Sequence, residues 1–452
     1  MKKNQIVQLE ITGMTNEGFG VGRYENMAVF VPGAAPGDSM QVLIVKVLKN
    51  YCFGKPLQIL TPSPDRITPD CAVSAQCGGC CYRHITYDAE SRIKQQRVVD
   101  AMQRIGAITA PVLPVIKANA ADGYRNKAQY PVGCDQSGHL FAGFYGLHSH
   151  RIVKQEACLL QPPEFGKILK ACLSFLSKKG CTAYDEATGK GLVRHIYLRK
   201  ADATGQIMVC LVINGTSIPD ETAFAAYITK SFPAVQTVVL NCNCKKTNVI
   251  LGDTCRVLSG PGFITDVICK LRIKISPLSF YQVNRDMAEL LYKTAADFAN
   301  PAGKTVLDLY CGAGAIGLSM AQNAKEIIGV EIVPQAVEDA KFNARENHIQ
   351  NARFLCANAA DAAKTLAKEG VRPNVVVLDP PRKGAAESLI ETIAADFAPE
   401  RVVYVSCDPA TLARDLKRFA DQGYQTVKIQ PVDLFPRTAH VECVALLIRN
   451  KE

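Results

Sequence analysis

The stretch Asp308–Gly317, DLYCGAGAIG, joins the end of a predicted strand to the start of a helix. Its glycines allow the backbone to approach a ligand closely. Glu331 stands at the tip of the next predicted strand, where it can accept hydrogen bonds from two ribose hydroxyls. Dinucleotide enzymes share the glycine pattern, so the pattern alone is weak. Its strand-to-helix context and Glu331 together predict nucleoside binding and leave NAD and S-adenosylmethionine both open.

Regular alternation of strands and helices surrounds this loop from about residue 266 to the end of the chain. It predicts a doubly wound, Rossmann-like α/β sheet. The predicted strands are Val306–Leu309, Ile327–Glu331, Arg353–Cys356, Val375–Leu378, Val402–Ser406 and Glu442–Arg449, with helices at 334–347, 386–396 and 410–420.

The rest of the chain divides in two. Residues 1–60 alternate apolar and polar positions in short segments separated by glycines, which predicts a small OB-like antiparallel barrel. A proline-rich linker, Thr61–Arg66, follows. Residues 61–265 form a mixed α+β region whose topology the sequence leaves open, apart from a hairpin of Val193–Arg199 with Gln206–Ile213. We therefore expect three domains, at 1–60, 61–265 and 266–452.

Composition is that of a globular protein, with 48% hydrophobic and 21% charged residues among 452. No apolar run approaches the roughly 18 residues of a membrane span, and the N-terminus lacks the apolar core of a signal peptide. We therefore expect a cytoplasmic monomer without a membrane partner.

The net charge of +10 is placed unevenly. Lys and Arg outnumber Asp and Glu by six to four over residues 1–60 and by 23 to 15 over 61–265, and number 23 of each over 266–452. A net positive charge on residues 1–265, next to a neutral C-terminal part at 266–452, suggests a polyanionic substrate. A mildly basic solvated surface explains the charge alone equally well.

Cys407 ends the buried strand 402–406, and Asp408 and Pro409 then supply an N-cap and a first-turn proline for the helix 410–420. A thiol facing a helix N-terminus meets partial positive charge, which favours thiolate, although Asp408 opposes this effect. An isolated cysteine is more often core filler. Its place beside a glycine loop makes Cys407 a predicted nucleophile.

Asp379 lies in the loop Leu378–Gly384, LDPPRKG, after the fourth strand. Two ring-locked prolines make the loop rigid and direct Asp379 into the ligand crevice. Asp-Pro-Pro here is typical of methyltransferases that modify bases. Amino-methylating enzymes usually continue with an aromatic residue, whereas this chain has Arg382, which favours a ring carbon as the target.

Methylation of uracil C5 requires a thiolate to add to C6, which makes C5 nucleophilic, and a base to remove the C5 proton. Cys407 is the candidate thiol. Glu442, in the apolar strand of the segment 440–448, is the candidate base. A carboxylate at a strand end is equally often a residue that merely reaches water.

Eighteen cysteines are many for a cytosolic protein, where disulfides are not expected. Cys71, Cys77 and Cys80, with the distant Cys158, make four thiolates, enough for a 4Fe-4S cluster or a tetrahedral zinc. Cys81 adjoins Cys80 and makes it uncertain from the sequence which of the two is a ligand. The spacing alone leaves a 4Fe-4S cluster and a zinc ion both open.

Taken together, these residues closely resemble the bacterial RNA uracil-5-methyltransferases that act on 23S ribosomal RNA. The first 60 residues resemble a TRAM domain in the segments 29–33 and 36–38. The resemblance implies S-adenosylmethionine as methyl donor, a 4Fe-4S cluster, Cys407 as nucleophile and Glu442 as base. It implies cluster ligands at Cys71, Cys77, Cys80 and Cys158, and cofactor contacts at Gln282, Tyr310, Glu331, Asn358 and Asp379.

The resemblance also bears on the RNA. The segment 125–127 is similar to one near the RNA, whereas Ala315 departs from a polar cofactor contact found in some relatives. The tRNA-modifying branch generally lacks both the TRAM domain and the cluster, so 23S ribosomal RNA is the expected partner. The alternatives are a tRNA uracil-5-methyltransferase, an RNA cytosine-5-methyltransferase and a non-catalytic assembly factor that binds ribosomal RNA. Cytosine enzymes usually place Pro or Thr where this chain has Ser406.

Overall fold

A computed structural model describes residues 1–450 of the chain. A closed five-stranded barrel comes first, in the order β1-β2-β3-β5-β4. Alternate residues of its first strand, such as Val7 and Leu9, fill the interior, as a two-residue period requires. The predicted barrel is confirmed. Its strands are β1 (Ile6–Met14), β2 (Gly20–Tyr24), β3 (Met27–Val31), β4 (Ser39–Val47) and β5 (Tyr51–Thr61).

The barrel is fastened to the linker that follows it. The buried carboxylate of Asp38 accepts hydrogen bonds from the backbone of Ala35 at 2.6 Å and of Ser63 at 2.9 Å. Arg66 binds the same carboxylate through two nitrogens, at 2.6 and 2.7 Å. These charge-assisted hydrogen bonds hold the pKa of Asp38 below its ordinary value although burial opposes them.

A seven-stranded sheet forms the middle of the chain, in the order β12-β11-β10-β9-β6-β7-β8. The predicted hairpin is present as the antiparallel pair β9 and β10. The strands are β6 (Lys127–Cys134), β7 (Leu140–Tyr145), β8 (Ile152–Lys154), β9 (Val193–Lys200), β10 (Ile207–Ile213), β11 (Val235–Cys242) and β12 (Thr254–Ser259), and the helices are α1 (Tyr87–Ala101), α2 (Pro163–Lys178) and α3 (Glu221–Ser231). A π-helical turn, Met102–Gly106, extends α1.

A second seven-stranded sheet forms the last part, in the order β17-β16-β15-β18-β19-β21-β20. Its first five strands are parallel, and β21 runs antiparallel to both neighbours. The predicted Rossmann-like α/β fold is therefore confirmed. The strands are β15 (Thr305–Leu309), β16 (Glu326–Glu331), β17 (Ala352–Cys356), β18 (Val375–Leu378), β19 (Arg401–Ser406), β20 (Tyr424–Val432) and β21 (Glu442–Arg449), preceded by the hairpin β13 (Ile264–Ile268) and β14 (Leu271–Ile275).

Helices cover both faces of this sheet and bury its strands. The helices are α4 (Arg285–Ala299), α5 (Ala315–Met320), α6 (Pro334–Glu346), α7 (Ala359–Lys368), α8 (Glu387–Glu391), continued by a π-helical turn at Thr392–Phe397, and α9 (Pro409–Asp421). Because the parallel strands point the same way, their carboxyl ends meet at one edge and open a crevice there. Within residues 1–450, no helix is long and apolar enough to cross a membrane.

Candidate active site

The glycine loop after β15 begins in a left-handed backbone conformation. Tyr310 has φ of 66°, and Gly312 and Gly314 have φ of 55° and 82°. A Cβ added at Gly312 would meet no atom within 4 Å, so this part of the loop borders open space. A Cβ at Gly314 would press on the ring of Phe354 instead. The loop therefore turns sharply and leaves its backbone accessible from the crevice.

Glu331, at the end of β16, is tied to this loop. One carboxylate oxygen accepts a hydrogen bond from the backbone N–H of Gly312 at 3.1 Å. The other accepts from the N–H of Val333 at 2.9 Å. Each oxygen keeps a free lone pair for a further donor. Glu331 is thus held at the edge where a ribose would be recognised.

Asp308 belongs to the same edge, and the sequence analysis did not include it among the site residues. It is 1% exposed, and its Oδ2 accepts a hydrogen bond from the N–H of Gly317 at 2.9 Å. Its Oδ1 has no partner among the described residues. Burial, followed by the charges of Asp379 and Glu331, raises the pKa of Asp308 to about 7. An acidic residue inside an otherwise apolar strand, four positions before the first glycine, was the signal that could have identified it.

The three other predicted cofactor contacts lie on separate elements. Asp379 follows β18 and is half-buried, and burial raises the pKa of its carboxyl to about 7. Gln282 is buried before α4, and its carbonyl accepts a hydrogen bond from the Asn126 side chain at 3.0 Å. Asn358 is exposed and caps α7, accepting from the N–H of Ala360 at 2.9 Å. The charge of Asp379 contributes to the raised pKa of Asp308, so these two carboxyls share one electrostatic environment.

The predicted thiol and base are neighbours. In the antiparallel pair of β19 with β21, Ser406 is opposite Cys443, so Cys407 and Glu442 come next to each other where the two strands part. Glu442 is 5% exposed, and Cys407 is half-buried. Burial, followed by the charge of Asp379, raises the pKa of Glu442 to about 8.

The net effect of its surroundings is to favour the thiol form of Cys407 over the thiolate. The helix terminus is as predicted: α9 begins at Pro409, and Asp408 accepts a hydrogen bond from the N–H of Thr411 at 2.8 Å. Burial outweighs this dipole, however, and with the charge of Glu442 it raises the pKa of Cys407 to about 11.

The positive charge of Arg382 acts on both members of this pair. Its charge lowers the pKa of both Cys407 and Glu442, opposing the effect of burial. The side chain is exposed, and the hydroxyl of Thr411 donates to its backbone carbonyl at 3.1 Å. The loop that carries Arg382 is thereby fixed over the first turn of α9. From the sequence, Arg382 was informative only because it stands where amino-methylating enzymes have an aromatic residue.

The segment 433–441, which leads from β20 to Glu442, is held by a buried ionic network. Lys94 of α1 donates to Glu90 and to Asp433, both at 2.7 Å, and all three side chains are fully buried. Glu90 also accepts from the N–H of Arg437 at 2.8 Å. Further hydrogen bonds reach this segment from Tyr87, Tyr124 and Arg97. The position of Glu442 thus depends on α1, far away in the chain.

We expect Lys94→Met to destabilise the protein by about 3–5 kcal/mol, because two buried carboxylates would lose their shared cation. Lys117→Met is the matched control. Lys117 also binds α1, through Asp88 at 2.8 Å, but this pair is exposed and screened by water, so its loss should change stability little. Urea unfolding of both variants measures the difference. Equal, small losses would show that the network does not hold the segment 433–441.

Comparison with known proteins follows the same division of the chain. Residues 268–450 match the family model of tRNA (uracil-5-)-methyltransferases, and residues 2–57 match that of the TRAM domain. RNA methyltransferases of Halalkalibacterium halodurans and Clostridium tetani are 45% and 43% identical over 99% of this chain and 98% and 97% of their own lengths. The chain belongs to the family of TRAM-containing RNA uracil-5-methyltransferases.

A solved structure agrees with this membership along the whole chain. The tRNA (uracil-54, C5)-methyltransferase of Pyrococcus abyssi, in complex with S-adenosyl-L-homocysteine, has a TM-score of 0.79 and 26% identity. The match covers 98% of this chain and 99% of that one. Our protein is therefore a methyltransferase that uses S-adenosylmethionine, and the interpretations as a non-catalytic assembly factor and as a cytosine-5-methyltransferase fall away.

The methyltransferase brings its four predicted ligand cysteines to one cavity. Cys71, Cys77, Cys80 and Cys158 all line a cavity of about 300 Å³ between the loop before α1 and the start of α2. Cys81 points elsewhere: its thiol packs where a Cβ on Gly18 would stand. Within residues 1–450, no three His, Cys, Asp or Glu side chains are arranged to hold a single metal ion.

Proposed function

We propose that this methyltransferase methylates C5 of one uridine, or two, in 23S ribosomal RNA, with Cys407 as nucleophile and Glu442 as base. The observation that carries the proposal is the pairing of β19 with β21, which sets this thiol beside this carboxyl at the crevice edge. The charge of Glu442 contributes, after burial, to the raised pKa of Cys407. A covalent mechanism requires this combination, because the nucleophile and the proton acceptor must both reach the same uracil ring.

The chemistry assigns one task to each group. Cys407 gives up its thiol proton to solvent and adds to C6, so that the electron pair of the C5–C6 double bond makes C5 nucleophilic. After C5 has gained its methyl group, Glu442 takes the remaining C5 proton, and the double bond re-forms as the thiolate leaves. Arg382 favours both ionised groups, because its charge lowers both pKa values.

The residues at the crevice fit S-adenosylmethionine, which supplies an electrophilic methyl group when bound. The free lone pairs of Glu331 suit the two ribose hydroxyls. The partnerless oxygen of Asp308 and the open space beside Gly312 lie on the same edge. We propose contacts from Gln282, Tyr310, Glu331, Asn358 and Asp379, as the resemblance implies, and add Asp308 to them.

We also propose a 4Fe-4S cluster at Cys71, Cys77, Cys80 and Cys158. The shared cavity supports it, because four thiols from two separate parts of the chain reach one space. The resemblance, which implies these four ligands in this order and spacing, is the reason for preferring the cluster to a tetrahedral zinc.

Anaerobically purified protein should be brown and contain about four irons and four sulfides per chain. Cys158→Ser should lower the iron content sharply, since it removes the one ligand that lies far away in the sequence. Cys81→Ser, the matched control, should keep the iron, because this thiol faces away from the cavity. Stoichiometric zinc without iron would reject the cluster and keep the ligands.

A tRNA is the second candidate substrate. The Pyrococcus abyssi enzyme named for uracil 54 of tRNA matches this chain along nearly its full length, including the barrel. The barrel therefore loses its value as a sign of ribosomal RNA, and that assignment now depends on the closer resemblance to the 23S enzymes. We further propose that the protein works as a cytoplasmic monomer, with domain boundaries near residues 60 and 265.

Nucleoside mass spectrometry of a deletion strain distinguishes the two substrates. Separated 23S ribosomal RNA should lose 5-methyluridine, and tRNA should keep it. Expression of the wild-type chain should restore the modification, whereas Cys407→Ala should not. Loss from tRNA alone would replace the ribosomal assignment, and loss from neither RNA would refute the proposed function.

A further inference from the structure

Aromatic rings gather on the outer surface of the barrel. Phe30 on β3 lies 5.1 Å from Tyr51 and 5.8 Å from Phe53, both on β5, measured between ring centroids. Phe19, in the turn before β2, is buried and supports these rings from within, at 6.3 Å from Phe53 and at 6.3 Å from the exposed ring of His148. We call the set Phe30, Tyr51, Phe53 and His148 the aromatic strip.

Strand geometry explains why the rings share one face. β3 and β5 are parallel, with Phe30 opposite Phe53, and side chains alternate along each strand. Cys52 and Gly54, the residues on either side of Phe53 in β5, face the interior of the barrel. A Cβ added to Gly54 would stand 2.2 Å from the Val42 side chain. Phe30, Tyr51 and Phe53 are consequently half-buried rather than part of the barrel core.

Lysines surround the rings. Lys46 on β4 is opposite Phe53, Lys55 is the next outward residue on β5, and Lys49 lies in the turn before Tyr51. All three lysines are exposed, and none of the ion pairs within residues 1–450 involves them. Rings that offer a π-face beside unpaired cations match what single-stranded nucleic acid requires, namely stacking for bases and positive charge for phosphates.

We propose that the aromatic strip stacks unpaired bases of the substrate RNA, while Lys46, Lys49 and Lys55 contact the neighbouring phosphates. The proposal rests on the proposed function for its RNA, and it adds that this RNA is single-stranded where it meets the barrel. The bases of a duplex are already stacked and cannot reach the rings. None of the residues assigned to methyl transfer belongs to the strip, so binding here can be tested separately from chemistry.

The experiment uses the full chain and a single-stranded RNA oligonucleotide that contains 2-aminopurine. Stacking should quench the fluorescence of this base in the wild-type complex. Tyr51→Leu and Phe53→Leu should each weaken binding about ten-fold and remove much of the quenching, since each ring holds about one base. Phe53→Trp should keep both, because it retains a stacking surface. Tyr227→Leu, which removes a 42% exposed ring on α3, is the matched control and should change neither.

Three results would overturn the proposal. Unchanged single-strand affinity in both leucine variants would show that the rings hold no base. An equal loss of affinity for the duplex of the same sequence would show that the variants disturb charge or folding instead. A change in self-association with RNA binding intact would show that the strip covers a second copy of the chain. Failure of the proposed function would differ from all three, because the wild-type protein would then bind RNA without methylating uridine.

Discussion

Cys407→Ala should form no covalent complex with RNA that carries 5-fluorouridine at the target position, whereas the wild-type protein should accumulate one that survives denaturing electrophoresis. Fluorine at C5 cannot leave as a proton, so the adduct between Cys407 and C6 stays trapped after methyl transfer. Turnover on ordinary RNA should fall by on the order of 10⁴-fold or more, since no other group replaces the nucleophile. The trapped complex also requires S-adenosylmethionine, which supplies a second control.

Cys134→Ala is the matched substitution for this test. Cys134 is an exposed free cysteine at the end of β6, away from the crevice. The variant should trap 5-fluorouridine RNA as the wild type does. Trapping by Cys407→Ala would mean that another residue is the nucleophile.

Glu442→Gln should stop the reaction one step later. The side chain keeps its shape and loses only its basicity, so Cys407 can still add to C6 and C5 can still be methylated. The C5 proton then has no acceptor, and turnover should fall by about 10²–10⁴-fold. Ordinary RNA and S-adenosylmethionine should yield a covalent protein–RNA species that contains the transferred methyl group. Normal turnover would make Glu442 a structural residue, and loss of both turnover and trapping would place its role before methyl transfer.

The stability of Glu442→Gln at different pH values shows whether the variant is folded and has lost the titrating carboxyl. Burial raises the pKa of Glu442 from 4.5 to about 8. Between these values the folded state keeps the proton that the unfolded chain releases, so the wild-type protein loses stability as the pH rises through this window. Glutamine does not titrate. The variant should therefore lose less stability between pH 5 and pH 8 than the wild type, as thermal unfolding at the two pH values would measure.

Much of the fold could be predicted from the local order of apolar and polar residues. The alternation of apolar and polar residues in 1–60 predicted a barrel because each strand exposes one face to water. The regular succession of strands and helices after residue 266 predicted a parallel sheet because parallel strands are joined by helical crossovers. β20 was missed for a physical reason. It is an edge strand with polar residues and Pro431, features that its edge position tolerates but that obscure a strand pattern.

The parts of the site that sequence could not predict depend on distant pairing and on burial. Lys94 and Asp433 are 339 residues apart, and no local signal connects them. The raised pKa of Cys407 follows from how deeply the fold buries the thiol beside Glu442, which no motif records. Asp308 was quoted with the glycine loop, but its partnerless oxygen became visible only in three dimensions.

Release of tritium from RNA labelled at C5 of uridine tests the central claim most directly. Methylation of uracil C5 must displace the hydrogen at that carbon, whereas methylation at any other position leaves it in place. We predict that the wild-type protein releases one tritium for each methyl group transferred, that Cys407→Ala releases none, and that Glu442→Gln transfers methyl groups without a matching release. Methyl transfer by the wild-type protein without tritium release would contradict the assignment of uracil C5 as its target.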